Sequence, residues 1–436
     1  MRSAFVAPLA CLLTLIAAGD TLRADDWPNF QGPTQDSRSA ETGLLSEWPD
    51  AGPEMAWKIE SVGVGYSAPT VVGDTIYLLG ARGGKTEMFA LSAKDGSEKW
   101  SLVVNNKPFN FDGNAWGIGP RSSATVTDGR VFGMAGDGKM VCADLDGNEI
   151  WRVDMQADLG GEVNPIGGGP KTFGWGFCWS PIVDGDKLIC TPGGPKGLVA
   201  ALECATGKVV WRSADLPLMG TYASPVIAEI HGVRQYVVMT QKGAAGVGED
   251  GSLLWEHVRK RPYSDVVIPT PVVSKNHVYT SVGYGGAGCE LLTIVKTDDG
   301  FTVESEYSTR NAKIMKNNLG GFVLHEGHIF GCSDRRGWVC QELATGDMKW
   351  YKRGAAGFPD GSIIFADNHL YLLDERGGEV ALIEASPEAW NLKGRFTLPA
   401  LSEKRAPSGR TWTHPVIADG HLYLRDQELL YSYKLN

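Results

Sequence analysis

Short apolar runs rich in Val, Ile, Leu and aromatic residues recur along the chain, each closed by a turn containing Gly, Asp or Asn. Runs of this length between turn residues predict strands joined by hairpins. Their order repeats. A unit opens on a small residue or proline followed by β-branched residues, as in Ala68-Pro69-Thr70-Val71-Val72 and Ser180-Pro181-Ile182-Val183. A turn then leads to an aliphatic–aromatic run such as Thr75-Ile76-Tyr77, and a second turn to a run such as Met88-Phe89-Ala90-Leu91. Other openings lie at Ser224-Pro225, Thr270-Pro271 and His414-Pro415, with weaker ones at Ser123-Ala124, Gly320-Gly321 and Gly361-Ser362.

A fourth run closes each unit. Five times an Asp-Gly or Thr-Gly pair is followed, four residues after the glycine, by tryptophan: Trp100, Trp151, Trp211, Trp255 and Trp350. The gaps are 51, 60, 44 and 95 residues, and the last holds a degenerate copy at Tyr307. Four strands per unit and a period of about 40–50 residues belong to the blades of a β-propeller. The last unit, from His414 to Tyr433, ends before any such outer strand, and Gly52 to Ile59 reads as an outer strand with no unit before it. The two halves are expected to pair and close the ring, which removes a sheet edge. With Trp57 and Phe396 added, the outer positions number eight, with seven blades as the alternative. The expected fold is all-β, an eight-bladed propeller of four-stranded antiparallel blades over 54–436, preceded by an extension over 25–53.

Composition changes this picture little. A chain of 436 residues with 56 glycines and 14 tryptophans exceeds a typical single core, but a propeller grows by adding blades. The net charge of −10, without a dense Lys/Arg run, argues against nucleic acid as a partner. Arg2 followed by an apolar stretch from Ala4 to Ala18 predicts a secretory signal peptide over 1–24, too short to span a bilayer. No other segment reads as transmembrane, and a soluble, exported monomer in the periplasm or medium is expected. Seven cysteines follow that segment. Cys142 and Cys340 fall where other units carry Phe89 or Ala200, and small buried hydrophobes are expected there. A disulfide between Cys332 and Cys340 across one hairpin is the alternative.

The block Ala200-Ala201-Leu202-Glu203-Cys204-Ala205-Thr206-Gly207-Lys208-Val209-Val210-Trp211 resembles the element repeated in the PQQ-like family of eight-bladed propellers, which includes quinoprotein alcohol dehydrogenases and the barrel-assembly lipoprotein BamB. The resemblance runs from Trp57 to Tyr433. The opening Asp26-Trp27-Pro28-Asn29-Phe30-Gln31-Gly32-Pro33 and the ending Leu422-Tyr423-Leu424-Arg425-Asp426-Gln427 are similar to a group of exported bacterial propellers.

In such a blade, the second-to-third turn and the crossing to the next blade emerge on one face. Two crossings are long, Gly-rich and aromatic, 105–122 and 156–179, and they bring Trp116, Lys171 and Trp175. Residues just before the first strands face the channel mouth: Arg121, Trp179, Tyr222, Asp265, Asn317, Asn318, Asp360, Arg410, Trp412 and His414. Aromatic planes, cations and amides together suit a small polar ligand or a protein loop. Resemblance to the dehydrogenases implies PQQ, calcium and a carboxylate base. Asp265 is the candidate base, with Glu162 or Asp360 as alternatives. Asn317 or Asn318 would ligate the metal, Trp175 or Trp179 would stack on the quinone, and Arg121 or Lys171 would pair with its carboxylates. Those dehydrogenases carry an adjacent cysteine pair that this chain lacks. A binding or scaffold module is therefore the leading expectation, with a PQQ- and calcium-dependent alcohol or sugar dehydrogenase as the alternative.

Overall fold

The computed structural model describes residues 26–108, 116–163, 174–260, 266–309, 315–334, 336–353, 358 and 360–436. Its strands form eight separate four-stranded antiparallel sheets, seven of them consecutive meanders. Blades 1 to 7 open on Thr70–Val72, Thr125–Thr127, Ile182–Asp184, Val226–Ile230, Val272–Ser274, Phe322–His325 and Gly361–Ala366 and close on Glu98–Asn105, Glu149–Asp154, Val209–Arg212, Leu253–Val258, Gly300–Thr309, Met348–Lys352 and Leu392–Thr397 respectively. Blade 8 combines Val416–Ala418, His421–Asp426 and Leu429–Lys434 with the N-terminal strand Met55–Ile59. Trp57 lies opposite Ser432 and Ile59 opposite Leu430, so the two ends of the ring share one sheet, as the missing strand predicted.

The repeated Gly-to-Trp spacing has a mechanical cause. In every blade the register between third and fourth strands shifts by a bulge, beside the outer aromatic residue in all but blade 7. There Gly394 takes that place against Trp48, and Phe396, the outer position expected from the sequence, lies two residues on. A bulge adds twist and re-aims a side chain. Trp100 Nε1 thereby donates to Leu145 O of blade 2 at 2.7 Å, and Trp151 Nε1 to Cys204 O of blade 3 at 2.9 Å. Gly147, at φ +86°, lies under the Trp100 ring, and a Cβ there would come within 2.7 Å of it. Glycine is thus needed both for the turn and for the contact. Gly52 lies in the same way against Phe396 and completes the circuit.

The joint between blades 4 and 5 departs from the rule on both counts. Gly300 of blade 5 meets nothing, and Trp255 donates within its own blade to Gln235 Oε1. At that seam Glu290 instead meets Arg259 at 3.0 Å and His257 at 3.2 Å, both from blade 4. Between blades, apolar faces close on one another; Leu79 and Met88 of blade 1, for example, pack with Val131 and Val141 of blade 2. Burial of such a side chain stabilises by about 2 kcal/mol. Cys142 and Cys340 are buried in these layers, as expected. The Cys332–Cys340 disulfide is not formed: Cys332 lies opposite Trp338 and Cys340 opposite Phe330, and both thiols are free.

Small residues open each unit because the first strands crowd the channel axis. Thr70 Oγ1 donates to Ala124 O at 2.8 Å, Thr125 Oγ1 to Pro181 O at 2.6 Å, and Ser180 N to Ser224 Oγ at 2.9 Å, linking neighbouring blades. The ends where the first strands begin are here termed the upper end of the channel.

The segment before the ring closes the lower end. Trp27 bridges Val71, Pro28 O accepts from Val126 N, and Gln35 Oε1 accepts from Ile227 N at 2.9 Å. Arg38 donates to Leu324 O at 2.6 Å and lies over the Phe365 ring, while Ser37 and Ser39 pair with the Phe365 backbone. Glu41 Oε2 then accepts from Gly420 N. Blades 1, 2, 4, 6, 7 and 8 are all touched. The opposite flank of blade 1 is fixed by Arg425, buried and bonded to the carbonyls of Ser67, Leu79, Gly63 and Gln427. Burial lowers its pKa to about 9, and the guanidinium remains charged at neutral pH.

Candidate functional site

Above that floor lies a cavity of ≈ 140 Å³. Phe30 and Gln31 rise into it from below, and Tyr66, Trp116, Trp175, Tyr222, Tyr284 and Trp412 form its walls. These rings support one another: Tyr66 and Trp412 are 5.3 Å apart, Trp175 and Tyr222 5.3 Å, and Trp116 meets Trp175 edge-on at 6.0 Å. Tyr66 Oη donates to Trp116 O at 2.5 Å, which ties the 105–122 crossing to blade 1. Arg121 lies over the Tyr66 ring at 5.0 Å and donates to the carbonyls of Gly117 and Gly119. The Cys178 thiol is pushed up to about 12 by burial and donates to Trp175 O.

His414 lines the same cavity and packs edge-on against Phe30 at 5.2 Å. Its Nε2–H donates to Leu319 O at 3.2 Å, and burial lowers its pKa to about 4, so the ring is neutral. In that tautomer Nδ1 is an acceptor, and it is buried without a partner.

A second, polar cavity of ≈ 230 Å³ adjoins the first and shares Trp116, Tyr284, Leu319 and Trp412 with it. Asp334, Asp360 and Glu375 line it together with Arg376 and Arg410. Glu375 Oε2 accepts from Trp412 Nε1 at 3.1 Å, and burial raises the Glu375 pKa against the opposing pull of that bond. Asn318 carries a buried Oδ1 with no partner.

Of the residues singled out in the sequence, Trp116, Arg121, Trp175, Tyr222, Trp412 and His414 meet in the first cavity. Asn317, Asn318, Asp360 and Arg410 meet in the second. Trp179 does neither. It is fully buried between blades 2 and 3, edge-on to Phe177, and cannot stack on a ligand. Asn317 is poorly placed for a metal: its Nδ2 donates to the Gly321 and Cys332 carbonyls and its Oδ1 accepts from Gly321 N. Glu162 is exposed and lines neither cavity. Lys171 and Asp265 lie outside the described residues. Tyr284, Asp334 and Glu375 were missed. All three follow a second strand, and the Asp374-Glu375-Arg376-Gly377-Gly378 turn carried the signal in its charges.

Residues 37–114 and 109–350 match the sequence profile of the family described as outer membrane protein assembly factor BamB. The chain belongs to the BamB family of PQQ-like propellers. No curated protein matches it by sequence. Similar solved structures show the same ring. The quinohemoprotein alcohol dehydrogenase from Comamonas testosteroni is 11% identical with a TM-score of 0.59, and the match covers 94% of this chain and 80% of that one. The quinohemoprotein alcohol dehydrogenase ADHIIG from Pseudomonas putida HK5 is 13% identical with a TM-score of 0.58 and the same coverage. The computationally designed Ika8 protein is 8% identical with a TM-score of 0.55, covering 87% of this chain and 99% of that one. Likeness to dehydrogenases and to a designed ring alike is likeness of fold.

For this BamB-family member the quinone–calcium pair can be tested against the donors present. Among the described residues no three His, Cys, Asp or Glu side chains come together as a metal site. Asn317 is committed to its own loop, and Trp179 is in the core. Two positions that the resemblance assigned to a calcium-bound quinone, Asn317 and Trp179, are thus engaged otherwise.

Proposed function

We propose that the chain is an exported, soluble binding module whose upper face takes up a ligand or a partner's loop at the channel mouth. The observation that carries this reading is the ring-lined cavity above a closed floor. A rigid disc holds six aromatic side chains around a space adjoining a polar one, which is the usual make-up of a binding site. Support for a non-catalytic role comes from the donors: Asn317 is engaged within its loop, and the His414 ring bonds the Leu319 carbonyl. Membership of the BamB family agrees with a binding role by analogy. No helix among the described residues is long and apolar enough to cross a membrane.

The test joins two measurements on the purified chain. Calorimetric titration with PQQ, with and without calcium, is expected to show no saturable heat, and alcohols and sugars are expected to give no dye reduction. Calcium-dependent PQQ binding with turnover would replace this reading with a dehydrogenase. In parallel, capture from the exported fraction is expected to depend on the mouth: Trp116→Ala and Trp412→Ala should lose a ligand or partner that the unaltered chain retains.

A further inference from the structure

The two joined cavities also limit what chemistry can enter. We infer that the channel mouth is a carbohydrate site, in which an uncharged sugar ring lies against the wall shared by Trp116 and Trp412 and its hydroxyls reach the polar cavity behind. This rests on the binding reading above and names its ligand class.

Charge is the first argument. The aromatic cavity carries a guanidinium, Arg121, and the polar cavity mixes Arg376 and Arg410 with Asp334, Asp360 and Glu375. A polycation would meet the arginines and a polyanion the carboxylates, and an uncompensated charge in a confined site is costly. A hydroxyl group escapes this conflict. It donates to a carboxylate and accepts from a guanidinium with the same oxygen.

The second argument is shape. Pyranose rings present C–H groups on a flat face and hydroxyls at the edge. Trp412 offers the complementary arrangement, an indole held at its Nε1 by Glu375 and at its face by Tyr66, with the carboxylates of the polar cavity beyond its edge. Such a platform is set before binding, which lowers the entropic cost of stacking. The third argument is the unpaired acceptors. His414 Nδ1 in one cavity and Asn318 Oδ1 in the other are buried without donors, and a polyol brings donors in number.

The experiment uses the full mature chain, with calorimetry and tryptophan fluorescence. Probes are maltohexaose, cellohexaose, laminarihexaose, xylohexaose and hexa-N-acetylchitohexaose, with spermine and citrate as charged counterparts. At least one hexasaccharide is expected to bind saturably, with an affinity that changes less than about twofold between low and high salt because no net charge is exchanged. Trp412→Ala should weaken it about tenfold or more, and Trp116→Ala similarly, with melting temperatures that show both variants folded. Absence of binding by all five oligosaccharides overturns the inference. If spermine or citrate binds instead and Trp412→Ala abolishes it, the carbohydrate assignment falls while the binding reading stands. If neither sugars nor charged probes bind and partner capture is indifferent to Trp116→Ala and Trp412→Ala, both fall.

Discussion

The lower end of the channel is closed largely by main-chain hydrogen bonds, whereas the upper end is lined by side-chain rings. Residues 26–44 pair with first-strand backbones and turns around the ring, through contacts such as Trp27 with Val71 and Ser39 with Phe365. The mouth depends on side chains: Trp116, Trp175 and Trp412 touch chiefly one another and the tyrosines. A floor made of backbone belongs to the architecture of the disc. A mouth made of rings can change its ligand through a few substitutions without disturbing that architecture.

The sharpest way to break this comparison is to delete residues 26–48. The melting temperature is expected to fall by about 10 °C or more in calorimetry, because Trp27 and Trp48 leave the core and six blades lose contacts. An unchanged transition would mean that the floor is decoration. Next in size is Arg425→Met, which strips four carbonyls of their donor and is expected to cost about 3 kcal/mol in denaturant unfolding. Gly32→Ala comes third, at about 1–2 kcal/mol, since Gly32 has φ +80° and its Cβ would come within 2.7 Å of the Trp27 ring.

Acid should act on the mouth. The folded pKa of His414, about 4, lies below its unfolded value near 6.5. The unfolded chain therefore binds the proton first, and the stability that the neutral ring contributes is complete above about pH 6.5 and lost as pH falls toward 4. His414→Gln should flatten that part of the stability–pH curve, measured by urea unfolding at a series of pH values. The smallest effect sharpens the contrast most. Trp412→Ala should change unfolding free energy by less than about 1 kcal/mol while removing the ligand, because its ring is only partly buried and faces the cavity.

The ring was legible because its physics is periodic. Gly147 under Trp100 recurs as Gly207 under Trp151, so the spacing of glycine and tryptophan reports a joint between blades. The closing strand was legible for the same reason, as the one outer strand displaced to the other end. Residues 26–48 have no period. Their partners are scattered over blades far apart in the chain, and Gln35 on Ile227 or Arg38 on Leu324 leaves no local signal. At the mouth, position in the blade was readable and direction was not. Trp179 and Trp175 differ by four residues, yet one turns into the core and the other into the cavity. The carboxylates of the second-to-third turns left no distinctive mark, because acidic residues are common in turns of every kind.

The floor also sets an order of events during folding. Glu41 bonds Gly420 across 379 residues, and Leu45 N bonds Leu435 O at the far end of the chain. The portion synthesised first thus waits for the portion synthesised last. Until then the strand Leu429–Lys434 has an open edge, and Met55–Ile59 has no sheet to join. Contacts so distant in sequence form slowly. The final turn of the ring is thereby the step at which a nascent chain is most exposed to association with its neighbours, and a holding chaperone would serve it best at that step.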